Sequence, residues 1–143
     1  MMERIIETNS AQETCELGKR IAAQMKPGSV YTLEGDLGTG KTVFAKGAAE
    51  GLGIEEDICS PTFTIMQVYE DGRLPLYHFD LYRIGDPEEL DEFGFDDYLF
   101  GNGVCLIEWP QSANDRLPAS TVRIRLEKNA DKGFDYRRIT ISE

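Results

Sequence analysis

Leu17, Ile21 and Met25 recur every four positions, the spacing that lines one face of a helix. Ser10 precedes Glu13 in capping-box spacing, and Lys26-Pro27-Gly28 ends the pattern. The spacing predicts a helix over 10–25. Ser29-Val-Tyr-Thr-Leu33 is a β-prone run that leads into a glycine-rich segment, and the stretch from Val43 to Leu52 then reads as helix until Gly53. The order is strand, glycine loop, helix.

Farther along, 62–70 and 74–83 are rich in β-branched and aromatic residues and flank Asp71-Gly72, a hairpin dipeptide. These segments are expected to pair as antiparallel strands. Asp86-Pro-Glu-Glu resembles a helix start, with proline in the first turn and carboxylates at the positive end of the dipole. Asn102-Gly103 then precedes the apolar run from Val104 to Ile107, read as a buried strand. Val122, Ile124 and Leu126 alternate with polar residues, as do Ile139 and Ile141, which predicts a C-terminal hairpin with one wet face. Helices alternating with strands in the middle and hairpins towards the end define an α/β class: a mixed sheet with parallel and antiparallel pairs, flanked by helices.

No repeat, low-complexity tract or linker divides the chain, so residues 1–143 are read as one domain. The formal net charge of −11 at pH 7 argues against a protein that binds nucleic acid in bulk, because a phosphate backbone would be repelled. No apolar run nears the roughly 18 residues needed to span a bilayer, and the N-terminal segment lacks the pattern of a secretory leader. A cytoplasmic protein without a membrane partner is expected. Cys15, Cys59 and Cys105 are too far apart for metal-ligand spacing and are read as reduced, mostly buried residues.

Candidate chemistry concentrates at Gly35-Asp36-Leu37-Gly38-Thr39-Gly40-Lys41-Thr42, which matches G-x-x-x-x-G-K-[ST] in full between a predicted strand and a predicted helix. The glycines let backbone N–H groups curl round an anion, and the helix N-terminus adds partial positive charge. Lys41 is placed to reach β and γ phosphates, and the Thr42 hydroxyl to ligate Mg²⁺. Such a site needs a carboxylate at a neighbouring strand end. Glu108 ends the run 104–107, and Asp80 ends 76–79, each at an edge of the sheet. Glu108, after the more continuous apolar run, is favoured as direct ligand, and Asp80 as a holder of metal-bound water or a base. Thr62, within Ser60-Pro-Thr-Phe63, is a candidate switch hydroxyl sensing the γ-phosphate and metal. Trp109 is read either as core or as a surface for a partner, and His78, the only histidine, as structural before catalytic.

Missing motifs narrow the activity. Asn129-Ala-Asp-Lys132 has the wrong order for the N-K-x-D of GTPases, and the D-x-x-G match at Asp91-Glu-Phe-Gly94 lies in the acidic helical stretch. Arg73, Arg83 and Arg116 are scattered, with no insertion to carry a kinase lid. Three readings stand: a nucleotide hydrolase that works as a switch, an ATP-binding module that need not hydrolyse, and a small kinase. Hydrolysis used as a switch fits best.

Four motifs, in order over nearly the whole chain, resemble the bacterial TsaE (YjeE) family: Glu34-Gly-Asp-Leu-Gly-Thr-Gly-Lys-Thr42, Ser60-Pro-Thr-Phe63, Tyr77-His-Phe-Asp80-Leu-Tyr-Arg83 and Ile107-Glu-Trp-Pro110. The resemblance implies a P-loop NTPase-like fold and a Mg²⁺-dependent ATPase that works with TsaB and TsaD to make N6-threonylcarbamoyladenosine in tRNA, with the tRNA held by the partners. It further implies Thr42 and Glu108 as Mg²⁺ ligands, Lys41 and the loop amides on the phosphates, Asp80 and Thr62 in support of hydrolysis, and Trp109 in activity or docking. By the same resemblance the nucleobase lies near Ala11 and Gly133.

Overall fold

The two strands at the centre of the sheet are buried almost throughout: β2 (Val30–Glu34) at every position but Glu34 and β5 (Val104–Glu108) at every position. Continuous burial is what a strand shows when both faces of its sheet are covered. The computed structural model describes residues 2–59, 61 and 64–143. Its other strands are β1 (Glu3–Thr8), β3 (Met66–Tyr69), β4 (Leu76–Asp80), β6 (Val122–Glu127) and β7 (Arg137–Ser142). All seven lie in one sheet of order β1-β7-β6-β2-β5-β4-β3. The neighbours β6, β2, β5 and β4 run parallel, while β3, β7 and β1 join antiparallel at the flanks. The expected mixture of pairings is present.

Side chains of one strand point alternately to the two faces, and successive residues of β5 accordingly enter different cores. Val104 and Leu106 pack with Leu17, Leu33, Phe44 and Ala48. Cys105 and Ile107 pack with Phe79, Leu90, Phe95 and Leu99. The first face is covered by α1 (Ala11–Ala22) and α2 (Lys41–Gly51), the second by the short helices α3 (Glu89–Glu92) and α4 (Phe95–Leu99).

Helix α1 starts as its sequence predicts, with Ser10 Oγ accepting the Glu13 N–H at 3.1 Å. The Glu13 carboxylate reaches back to the Asn9 N–H at 3.4 Å, one residue beyond the usual capping-box partner. The helix ends at Ala22, ahead of Met25, where Arg73 donates to the Ala22 carbonyl at 2.7 Å and the Met25 carbonyl at 3.2 Å. Helices α1 and α2 approach so closely that a Cβ on Gly47 would overlap the Cys15 carbonyl, and one on Gly18 the Phe44 carbonyl. Among the described residues no helix is long and apolar enough to cross a membrane.

Several elements depart from the sequence reading. Strand β1 was not expected: Glu-Arg-Ile-Ile-Glu-Thr shows no alternation, and the strand exists through its antiparallel ladder with β7. A 3-10 helix over Pro110–Arg116 follows β5. Asp86 precedes helix α3 instead of entering it, with its carboxylate accepting the Glu88 N–H at 3.0 Å. Only Cys105 is buried as expected of all three cysteines; Cys15 is half-buried and Cys59 exposed. Thr14 and Ile58, the residues just before them, take the inward positions.

Candidate functional site

The carboxyl ends of β2, β5 and β4 lie side by side, with Leu33 in register with Glu108 and Glu108 with Asp80. The edge expected to carry the two carboxylates is therefore this end of the parallel strands, and β4 and β5 are themselves internal. Residues 35–40 span the gap from β2 to α2. Gly35, Gly38 and Gly40 adopt φ of +154°, +80° and +99°, values that glycine accepts without cost. At Gly35 a side chain would also collide with Thr39 Oγ1 and the Leu126 carbonyl. Thr39 Oγ1 donates to the Asp36 carbonyl at 2.8 Å and closes the loop on itself. Asp36, Leu37 and Gly38 form its exposed tip, while Thr42 is half-buried in the first turn of α2.

Lys41, the first residue of α2, is only 6% exposed. Its Nζ has no hydrogen-bond partner. It lies 3.9 Å from Glu108 Oε1 and 3.9 Å from the centroid of the Trp109 ring, too far from the carboxylate for a hydrogen bond. Burial pulls the Lys41 pKa below the ordinary lysine value, against the opposing pull of the Glu108, Asp80 and Asp36 carboxylates. An ammonium desolvated in this way lacks a strong acceptor, and the phosphate oxygens of a nucleotide have the right charge to supply it.

The carboxylates beside it are held differently. Glu108 Oε2 lies 2.7 Å from His78 Nε2, and His78 is fully buried with its Nδ1 unpartnered. The histidine, read as structural, thus touches the favoured metal ligand. Asp80 Oδ1 accepts the Tyr82 N–H at 3.0 Å, and the Asp80 N–H donates to the carbonyl of Ile65, whose φ is +68°. Among the described residues no three His, Cys, Asp or Glu side chains gather to hold a metal by themselves. Two adjacent carboxylates with a nearby threonine suit Mg²⁺, which takes few protein ligands and completes its shell with phosphate oxygens and water.

Trp109 adopts a left-handed conformation (φ +53°, ψ +62°). Its half-buried ring bears the Lys41 ammonium, and Tyr82, 67% exposed, meets it edge-on with centroids 5.0 Å apart. The tryptophan thus joins the buried charge cluster to the surface, combining features of both its sequence readings. Thr62 lies outside the described residues, as do Ser60 and Phe63; the Pro61 carbonyl accepts the Ile65 N–H at 2.8 Å. Ala11 lines a small pocket with Thr14, Thr39, Gly40, Asp135 and Arg137. Gly133 is exposed and is not among the described residues of that lining. Two cations that the sequence did not single out also stand at the loop. Arg137 donates to the Thr39 carbonyl at 2.8 Å, and Lys128 Nζ lies 3.3 Å from where a Cβ of Gly38 would be. Both come from the C-terminal hairpin, and as polar residues of a strand pattern they carry no sequence signal of this placement. Arg73 and Arg116, weighed as lid arginines, hold the end of α1 and the carboxylates of Asp91 and Asp96.

A parallel strand, a glycine loop and a helix beginning with a buried lysine, beside a second strand ending in a carboxylate, define a P-loop NTPase-like fold. The chain belongs to the TsaE family: residues 8–139 match the family described as threonylcarbamoyl adenosine biosynthesis protein TsaE. It is similar to the tRNA threonylcarbamoyladenosine biosynthesis protein TsaE of Bacillus subtilis (strain 168), with 49% identity over 135 residues, covering 94% of this chain and 82% of that protein. The protein of the same name from Treponema pallidum (strain Nichols) is 44% identical over 135 residues, covering 94% of this chain and 97% of its own. Among solved structures, the crystal structure of Bacillus subtilis YdiB superposes with a TM-score of 0.83 at 44% identity, covering 98% of this chain and 84% of that one.

Proposed function

We propose that this protein binds and hydrolyses ATP with Mg²⁺ as a component of the machinery that makes N6-threonylcarbamoyladenosine in tRNA, in the cytoplasm and together with homologues of TsaB and TsaD. The observation that carries the reading is the buried Lys41 ammonium at the start of α2, without a hydrogen-bond acceptor, beside Glu108, which is itself in register with Asp80. Family membership supports the tRNA-modifying role, and the net charge of −11 agrees with partners that hold the tRNA themselves.

In this reading the amides of residues 35–42 and the Lys41 ammonium bind the β and γ phosphates, and the adenine lies toward Ala11 and the turn around Gly133. Thr42 and Glu108 would hold Mg²⁺, which when bound neutralises charge on the phosphates. His78 keeps the Glu108 carboxylate aimed by its 2.7 Å contact. Asp80, anchored by the Tyr82 N–H, orients the attacking water or takes its proton, with Thr62 in support. Trp109 shields Lys41 from solvent and exposes Tyr82 to a partner.

Hydrolysis of Mg²⁺-ATP, measured alone and then with TsaB and TsaD homologues, tests the proposal, with Lys41→Ala as the blank. Slow turnover that rises with the partners, lost together with tRNA modification in Glu108→Ala, is expected. Modification that persists in Glu108→Ala without turnover would reduce the protein to an ATP-binding module. Labelling of an added acceptor would instead make it a kinase.

A further inference from the structure

Arg137 opens β7, and its guanidinium is spent on main-chain carbonyls: Nε donates to Thr39 O at 2.8 Å, Nη2 to Gly38 O at 3.3 Å, and Nη1 to Tyr136 O at 2.7 Å and Phe134 O at 3.0 Å. One side chain thus ties the turn of the C-terminal hairpin to the glycine loop. We propose that Arg137 is a positioning residue for that loop, fixing the peptide planes whose N–H groups receive the ligand's phosphates; this rests on the nucleotide reading above.

The carbonyl and the N–H of a trans peptide point in opposite directions. A donor that holds the Thr39 carbonyl from outside therefore turns the Gly40 N–H the other way, and the Gly38 carbonyl does the same for the Thr39 N–H. The latter is also held within the loop, where it donates to the Asp36 carbonyl at 3.3 Å. Gly38 and Gly40 have φ of +80° and +99°. Glycines impose little resistance to rotation of the peptides they flank, so the loop's own covalent geometry does not hold these planes. The fork of the guanidinium holds the Thr39–Gly40 plane and reinforces the Gly38–Thr39 plane, because its donors are coplanar and fixed relative to one another.

The same residue also borders the pocket near Ala11, where the competing role would be a base contact. Arg137 already has four carbonyl acceptors, so its donors are committed to the backbone before any base arrives. The geometry points to the phosphate end of the ligand. A clamp on the loop affects every ligand that carries a polyphosphate, whatever its base.

The test is calorimetric titration of the full chain with Mg²⁺-ADP, Mg²⁺-ATP and Mg²⁺-pyrophosphate. Wild type, Arg137→Gln, Arg137→Lys and Arg138→Ala are compared, with the ligand-free unfolding midpoint recorded for each. Arg137→Gln is expected to weaken all three ligands by a common factor of about tenfold or more, as misplacement of a positioned group does. Arg137→Lys keeps the charge without the fork and is expected to restore only part of the loss. Arg138→Ala removes a neighbouring charge and should bind as wild type. Wild-type affinity in Arg137→Gln, even with a lowered midpoint, would reduce Arg137 to a structural strut and overturn the proposal. It would equally fall if the loss were confined to the adenine nucleotides, if Arg137→Lys bound fully, or if Arg138→Ala lost as much. Should Arg137→Gln not fold, the comparison of Arg137→Lys with wild type decides by the same criteria. A wild-type chain that bound none of the three would overturn the nucleotide reading itself, and the clamp with it.

Discussion

The face of the sheet under α1 and α2 and the edge at the carboxyl ends of β2, β5 and β4 are built on opposite principles. On the face, the two helices approach backbone to backbone at Gly18 and Gly47, and Leu17, Leu33, Phe44 and Ala48 close a core of apolar side chains. At the edge, Lys41, His78, Asp80 and Glu108 are buried together, with Lys41 Nζ and His78 Nδ1 lacking hydrogen-bond partners. Apolar packing of this kind stabilises a chain, whereas desolvated polar groups without full partners cost stability. On the proposed reading the edge keeps its charges because a nucleotide completes them, and the packed face supplies the stability that offsets them. Two regions less than two helix turns apart along α2 thus answer to different demands, since Lys41 belongs to the edge and Gly47 to the face.

The contrast breaks most sharply at those two positions. Lys41→Ala is expected to lower ATP turnover by about a hundredfold or more, the scale of losing a positioned charge at a reacting phosphate, while shifting the unfolding midpoint less than a change in the helix interface. A Lys41→Ala protein that hydrolyses ATP at the wild-type rate would remove the edge's assigned purpose. Gly47→Ala should do the reverse. The added methyl must displace the Cys15 backbone, which at about 1–3 kcal/mol for overpacking lowers the denaturant midpoint, while the protein that remains folded binds nucleotide normally. If Gly47→Ala left stability unchanged, α1 and α2 would not be in the contact described.

The difference between the regions also explains what was legible in the sequence. The glycine loop was readable because its chemistry is local: Gly35, Gly38 and Gly40 answer to backbone angles, and Lys41 to a position at the helix start. Strand β5 was readable because burial on both faces leaves a continuous apolar run. The relations across the edge were less so. His78 meets Glu108 from 30 residues away, and Arg137 meets Thr39 from 98. Neither spacing leaves a period or a composition signal, since the sheet order that joins them is a property of the whole chain. Strand β1 failed to announce itself for the same reason, its ladder being with β7 at the other end of the sequence. The left-handed turn at Trp109 is likewise unmarked, because no glycine or asparagine stands there.

A smaller effect is expected at the start of α1, where the packed face begins next to the pocket at Ala11. Ser10→Ala removes the oxygen that accepts the Glu13 N–H and should cost about 1 kcal/mol, the usual value for losing an N-cap. Ser10→Asp should restore most of it, because aspartate caps as well and carries a charge suited to the helix N-terminus. Equal stability of the alanine and aspartate variants in urea titrations would show that the cap contributes nothing here.

The smallest effect lies on the surface outside both regions, where Arg116 joins the 3-10 helix to the acidic helices. Its Nη1 is 2.6 Å from Asp91 Oδ1, while Nη2 donates to the Pro87 carbonyl at 3.1 Å, and the Asp91 side chain is 64% exposed. Exposed pairs of this kind are strongly screened and contribute little, so Arg116→Met should lower the unfolding midpoint less than any change above. Its pH dependence separates the two contacts. The Arg116 guanidinium, by its hydrogen bond, holds the Asp91 carboxyl below its ordinary value. A depressed carboxylate contributes fully at neutral pH, and the contribution fades as pH falls through the lowered folded-state value. The gap between wild type and Arg116→Met should therefore narrow in acid and at high salt if the ion pair carries it. A gap that stays constant from neutral pH into acid would assign the arginine's contribution to the Pro87 carbonyl instead, and the acidic helices would then be held by a neutral acceptor.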